Sequence, residues 1–154
     1  MAEADMPLNP QHLWDDASVD LALTPGSAPG VTTIDTEQLA GMLEHTRPLV
    51  VDPLIASWWR SIPGAVGLDF HFITGGSFTD ERQRRLERKL RELTGGNLNA
   101  PIVALGFNVA TFDGYNLALR IRHAGYTNVY WYRGGREAWE VAGMPEAETR
   151  PADW

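Results

Sequence analysis

Pro101-Ile102-Val103-Ala104-Leu105-Gly106-Phe107 is an unbroken apolar run, and Asn108-Val109-Ala110-Thr111-Phe112-Asp113 carries it into a helical pattern that ends near His123. A continuous run of this length reads as a strand buried on both faces, as in a parallel sheet, rather than as one alternating between core and water. In the following helix Leu117, Leu119 and Ile121 are available for burial, and Gly125 stops it. The loop between strand and helix therefore delivers a helix N-terminus, where free backbone N–H groups and the helix dipole favour an anion.

The same alternation extends in both directions. Val31–Ile34 is a short β-like run, and Asp35 or Thr36 is placed to cap a helix with Leu39, Met42 and Leu43 on one face. Pro48–Asp52 is a second apolar strand, ending in a carboxylate. Leu54–Trp59 is an apolar connector, and Ile62-Pro63-Gly64-Ala65 turns into a strand at Val66–Phe70. After the Gly75-Gly76-Ser77 loop, Thr79 or Asp80 opens a helix to about Thr94, with Leu86, Leu90 and Leu93 at i, i+4 and i+7 and Gly95-Gly96 as its stop. Asn128–Tyr132 is an aromatic strand whose alternation packs on two faces. Gly134-Gly135 turns into a last helix with Ala138, Trp139 and Val141, ended by Gly143 and Pro145. Strands alternating with helices predict a single α/β domain: a mostly parallel five-stranded sheet, right-handed crossovers and helices on both faces. The expected division is an acidic, Pro/Gly-containing arm at 1–30, the domain at 31–147 and a C-terminal tail at 148–154.

Composition narrows the function. The 154 residues are 44% hydrophobic and 21% charged, as in a globular chain. No apolar run approaches the roughly 18–20 residues that span a bilayer, so no membrane role is expected. A net charge of −7 argues against nucleic-acid binding. Much of that charge lies in the arm, where Glu3, Asp5, Asp15, Asp16 and Asp20 face no Lys or Arg. The chain shows neither the basic start nor the apolar stretch of an export signal, which reads as cytoplasmic. Cysteine is absent, which removes disulfides, thiolate nucleophiles and Cys-based metal sites together. His12, His45, His71 and His123 have no mutual ligand spacing, so neither a metal nor a cofactor is expected.

In open α/β sheets ligands sit beyond the carboxyl ends of the strands. Three loops meet that edge: the one after Asp52, the one at Phe107–Asp113 and the one at Arg133-Gly134-Gly135. Asp52, Arg60, Asn108, Thr111 and Arg133 are the ligand-binding candidates there. Each has a plainer reading. Asp52 accepts hydrogen bonds from loop N–H groups, Arg60 and Arg133 are solvated or ion-paired, and Asp113 is a helix N-cap. Thr111 is a nucleophile only if Asp113 acts as its base. Trp58 and Trp59 in the connector are candidates for a protein contact. So is the helix carrying Arg82, Arg84, Arg85, Arg88, Lys89 and Arg91, although i,i+4 pairs such as Glu81–Arg85 also explain that face.

Taken together, Asp52 ahead of Ile62-Pro63-Gly64-Ala65, the 101–107 strand, Gly125-Tyr126-Thr127-Asn128-Val129-Tyr130 and Arg133-Gly134-Gly135-Arg136-Glu137-Ala138-Trp139 resemble a rhodanese-like (sulfurtransferase) domain over residues 31–147. The Arg-rich helix ending Leu93-Thr94-Gly95-Gly96 most resembles a bacterial-type subgroup with a Cys-x4-Cys-Trp loop. The resemblance implies persulfide chemistry on one loop cysteine, cradled by backbone N–H groups. Here that cysteine is missing. The subgroup register puts Gly106, Thr111 and Phe112 at the two cysteines and the tryptophan, and the commoner register puts Asn108 at the nucleophile. In either case Gly106, Phe107, Asn108, Val109, Ala110, Thr111, Phe112 and Asp113 form a vestigial active-site loop. The expected function is a catalytically inactive module, a pseudoenzyme that binds a protein or small ligand. The alternative is a sulfurtransferase-related enzyme working with a partner's thiol. A hydrolytic or phosphotransfer role through Thr111, Asp113 or Asp52 is a third possibility.

Overall fold

The computed structural model describes residues 13, 24–53, 60–70 and 73–154. Trp58 and Trp59 lie outside them, as do the rest of the Leu54–Trp59 connector and most of the acidic arm. Thr32–Ile34 forms β1 and Thr36–His45 forms α1. Asp35 is the cap. Its carboxylate accepts the Gln38 N–H at 2.8 Å while the Gln38 side chain accepts the Asp35 N–H at 2.8 Å, which satisfies two helix-end donors reciprocally. Leu49–Asp52 (β2), Arg60–Ser61 (β3) and Val66–Gly67 (β4) follow. The long helix α2 is Glu81–Thr94, capped by Asp80 and closed by Gly95 in the left-handed conformation. Ile102–Ala104 (β5), Asp113–His123 (α3), Val129–Tyr132 (β6) and Gly135–Val141 (α4) complete the expected alternation.

The α/β architecture is as expected, but the strand count is not. The main sheet has six strands, in the order β1-β6-β5-β2-β4 and then Arg150–Pro151 (β8), and every pairing in it is parallel. The sixth strand is β8, Arg150–Pro151, from the stretch expected to be a tail. It pairs with β4 at the sheet's edge, where a proline is tolerated. Ala147–Glu148 (β7) pairs antiparallel with β3. Trp154 then anchors the end of the chain. Its ring lies 4.6 Å from Phe70, and Arg85 both stacks over it, 4.4 Å from the centroid, and donates to its carbonyl at 2.8 Å. Arg85 is thus drawn away from the expected pairing with Glu81, and Arg84 pairs with Glu81 instead.

Two apolar layers flank the sheet. On one side Leu86 and Leu90 of α2 and Tyr115, Leu117, Ala118 and Ile121 of α3 pack on Ile102, Ala104 and Trp131. On the other, Leu39 of α1 and Trp139 of α4 pack on Val50, Val103 and Tyr132. Neighbouring residues of β5 and β6 thus feed opposite cores, as a strand buried on both faces requires. One charged side chain is sealed into the first layer. Arg120 is fully buried and donates to the carbonyls of Thr74, Gly75 and Ser77, to both carboxylate oxygens of Asp80 and to Gln83 Oε1. It pins the 74–80 loop to α3.

Burial raises the affinity of the Asp80 carboxylate for a proton, but the Arg120 hydrogen bond, the N–H groups of Gln83 and Ser77 and the Arg120 charge outweigh it. Together they hold the group at about 2, against an ordinary 3.8. In that window the unfolded chain binds more protons than the folded one, so this contribution is complete above about pH 4 and disappears as the pH falls toward 2. Chemical denaturation at a series of pH values is expected to show that acid slope in the wild type and a shallower one in Asp80→Asn.

Candidate functional site

The carboxyl ends of β1, β2, β5 and β6 lie along one edge, and the loops after β5 and β6 meet there, while most of the loop expected after Asp52 lies outside the described residues. Glycine makes the meeting possible. A Cβ on Gly106 would sit 2.5 Å from Asp113 Oδ1 and 2.8 Å from the Gly114 nitrogen. One on Gly114 would sit 3.0 Å from the backbone of Leu105 and Gly106, and one on Gly135 would sit 2.5 Å from the Gly106 oxygen. Gly135 also has a φ of 66°, a left-handed conformation suited to glycine. The contact this closeness permits is a pair of backbone bonds. The first N–H groups of α4, from Arg136 and Glu137, donate to the carbonyls of Gly106 and Phe107, each at 3.0 Å.

A buried ion pair ties in the end of β2. Asp52 is fully buried, and its carboxylate accepts from Arg136 Nε and from Ser61 Oγ, each at 2.6 Å. Arg136 Nη2 also pairs with it and donates to Thr149. Asp52 was expected to accept loop N–H groups or to meet a ligand. The partners that stand out are instead a guanidinium and a hydroxyl, because a buried carboxylate needs a full counter-charge. Arg136 is the residue whose role sequence reasoning missed. Its only signal was a position at a helix start behind two glycines.

The loop after β5 turns inward on itself. Helix α3 begins at Asp113, with Phe112 rather than Asp113 in the cap position and no side-chain cap bond from Phe112. Asp113 is only 4% exposed, and its carboxylate folds back over the loop. It accepts the Phe107 N–H at 2.9 Å, the Thr111 hydroxyl at 2.7 Å and the Gly114 N–H at 2.9 Å. The expected N-cap is thereby corrected. The carboxylate does serve the helix end through Gly114, but loop donors six and two residues back along the chain also hold it. The Thr111–Asp113 contact has the spacing of a nucleophile and its base. However, both oxygens of that carboxylate are already engaged, by two N–H groups and the hydroxyl itself.

Asn108 and Thr111 brace the turn. The Ala110 N–H donates to Asn108 Oδ1 at 2.9 Å, and Asn108 Nδ2 donates to Glu137 at 3.2 Å. Thr24 closes over the outside, its N–H and hydroxyl both donating to the Val109 carbonyl at 2.7 and 2.8 Å. Arg133 holds it there, donating through Nη2 to the Thr24 carbonyl at 2.6 Å and through Nε to the Pro25 carbonyl at 3.0 Å. Arg133 is therefore a strap on the arm rather than a bare cationic rim. Arg60 is exposed and donates to the Glu146 carbonyl at 2.7 Å. Beside the strap lies a cleft of about 430 Å³, lined by Thr33, Asp35, Thr36, Val109, Tyr132 and Arg133. At its floor Tyr132 shares a hydrogen bond with Thr36. Burial, and secondarily the nearby Asp35 charge, push its phenol above the ordinary tyrosine value, against the pull of the Thr36 bond.

The Arg82–Arg91 stretch is on α2. Within it Lys89 pairs with Glu92 and Arg84 with Glu81, which supports the solvated-face reading for part of the helix. Among the described residues no helix is long and apolar enough to cross a membrane.

A family model described as a rhodanese-like domain matches residues 35–142. A search of curated proteins found no match. Among solved structures the chain is similar to a thiosulfate sulfurtransferase from Pseudomonas aeruginosa, at 18% identity and a TM-score of 0.57, covering 80% of this chain and 22% of that one. It is also similar to a full-length protein from Lactobacillus plantarum (17% identity, TM-score 0.56, covering 75% and 87%). A third is the homodimeric polysulfide-sulfur transferase from Wolinella succinogenes (12% identity, TM-score 0.52, covering 80% and 81%). The chain thus spans about a fifth of the Pseudomonas protein and most of the other two. At these identities the likeness is one of fold.

Two substitutions test the geometry. Arg136→Ala leaves Asp52 buried without its counter-charge and is expected to cost about 3–5 kcal/mol in denaturant unfolding. Asp113→Asn turns an amide NH₂ toward a loop donor, and the same measurement is expected to show a loss of about 1–3 kcal/mol.

Proposed function

The chain belongs to the rhodanese-like domain family, and from that premise we propose that it is a catalytically inactive member: a cytoplasmic module that binds a protein partner or a small ligand at the three-loop edge. One observation carries the reading. The chain has no cysteine, and the loop that would present one is closed. Position 106 has no room for a Cβ, position 108 is an asparagine bonded into the turn, and position 111 is a threonine bonded to Asp113. Sulfur transfer through a persulfide needs a thiolate to attack the donor and carry the sulfane atom. No side chain in this protein does that.

The binding role draws on what the edge retains. The cleft beside Tyr132 is of a size that holds small ligands. Candidate protein contacts are Trp58 and Trp59 in the connector and the exposed basic residues of α2, Arg88 and Arg91 among them. A sulfurtransferase-related activity that borrows a partner's thiol is the competing reading, and the bonds that close the loop weigh against it.

The deciding assay is thiosulfate-to-cyanide sulfur transfer by the purified full chain, with and without added small thiols. Turnover no faster than the protein-free background is expected. Turnover clearly above it would overturn the inactive-module reading. Restored cysteines add a structural check. Asn108→Cys forfeits the amide's bonds to Ala110 and Glu137 but meets no clash, and is expected to fold with a loss of only about 1 kcal/mol. Gly106→Cys drives a Cβ into Asp113 and backbone, and is expected to lose about 1–3 kcal/mol or more.

A further inference from the structure

The loop between β5 and α3 has the donors of an anion seat. The Phe107 and Gly114 N–H groups and the Thr111 hydroxyl converge on one point at the positive end of an 11-residue helix. That point already holds an anion, and it is covalently attached. We infer that Asp113 is the resident anion of this seat: its carboxylate takes the place of a small external oxyanion such as thiosulfate or sulfite and keeps such ions out.

Three observations support the assignment. The Asp113 carboxylate is almost fully withdrawn from water, yet it points back across the loop rather than out along the helix. Desolvating a charge in this way is tolerated only with strong compensating donors, and these are the groups an external anion would need. The seat is also closed on the side of Gly106, where even a methyl group would meet the carboxylate oxygen. A tethered occupant also competes at a large advantage. Its effective concentration is in the millimolar range or above, so a free anion at lower concentration does not displace it. It also repels any second negative charge, as does Glu137 at the mouth.

This inference deepens the reading of a thiol-free loop and rests on it, but it is tested by binding rather than turnover. The backbone amide resonances of Phe107 and Gly114 are followed by NMR while sodium thiosulfate is added, against sodium chloride at matched ionic strength. In the wild type both are expected to stay where they are. In Asp113→Ala, and in Asp113→Ser as a second vacated variant, both are expected to shift saturably, with apparent affinity at least about tenfold above the wild type. Saturable thiosulfate shifts in the wild type would overturn the assignment. So would a folded Asp113→Ala, with native near-UV dichroism, whose two amides do not move. Should both variants fail to fold, the wild-type titration decides alone: still amides support the resident anion, and saturable shifts refute it. Sulfur-transfer turnover with unmoved amides would instead sink the inactive-module reading and leave the occupied seat standing.

Discussion

The contact of bare backbone at Gly106, Gly114 and Gly135 is the constraint on which the rest of this edge depends. With side chains there, the turn after β6 would stand off from the loop after β5, and the N–H groups of Arg136 and Glu137 would lose the carbonyls of Gly106 and Phe107. Since buried polar backbone must be paired, that separation would undo both loops at once. The Asp52–Arg136 pair then extends the same junction to β2, and Thr149 extends it to the chain's C-terminal stretch. Four segments far apart in sequence are thereby fixed to one another at the carboxyl edge of the sheet.

Arginine is the fastener throughout. Arg120 holds the 74–80 loop, Arg136 holds Asp52, Arg133 straps Thr24 and Pro25, and Arg85 secures Trp154. Each uses the planar fork of the guanidinium to reach several oxygens together, which the single ammonium of a lysine does less well. A chain with twelve arginines and one lysine has turned much of that charge to internal purposes. Positive residues at a site edge are therefore no measure of an anionic ligand here.

The thiol-free loop is no simple deletion. Removing a cysteine from an anion cradle leaves N–H groups facing an empty, poorly hydrated space, at a free-energy cost. In this protein Asp113 accepts the Phe107 and Gly114 N–H groups from within, and Thr111 Oγ1 accepts that of Asn108. The rhodanese-like scaffold keeps its shape in a chain that has no cysteine.

Apolar periodicity and turn chemistry alone determined the alternation of the main strands and helices, narrowed the first two caps to Asp35 or Thr36 and Thr79 or Asp80, and gave the Gly95-Gly96 stop. These follow from interactions within a few residues, which a linear pattern records. Composition alone determined that no thiol is present. Tertiary structure decided the rest. It made β8 out of the expected tail, turned Asp113 back on its own loop, paired Asp52 with Arg136 and assigned Arg133 to the arm, because each outcome depends on which distant groups a charge or an edge meets once the chain is packed. Thr24 and Arg133 are 109 residues apart in sequence, and only the folded sheet brings them together.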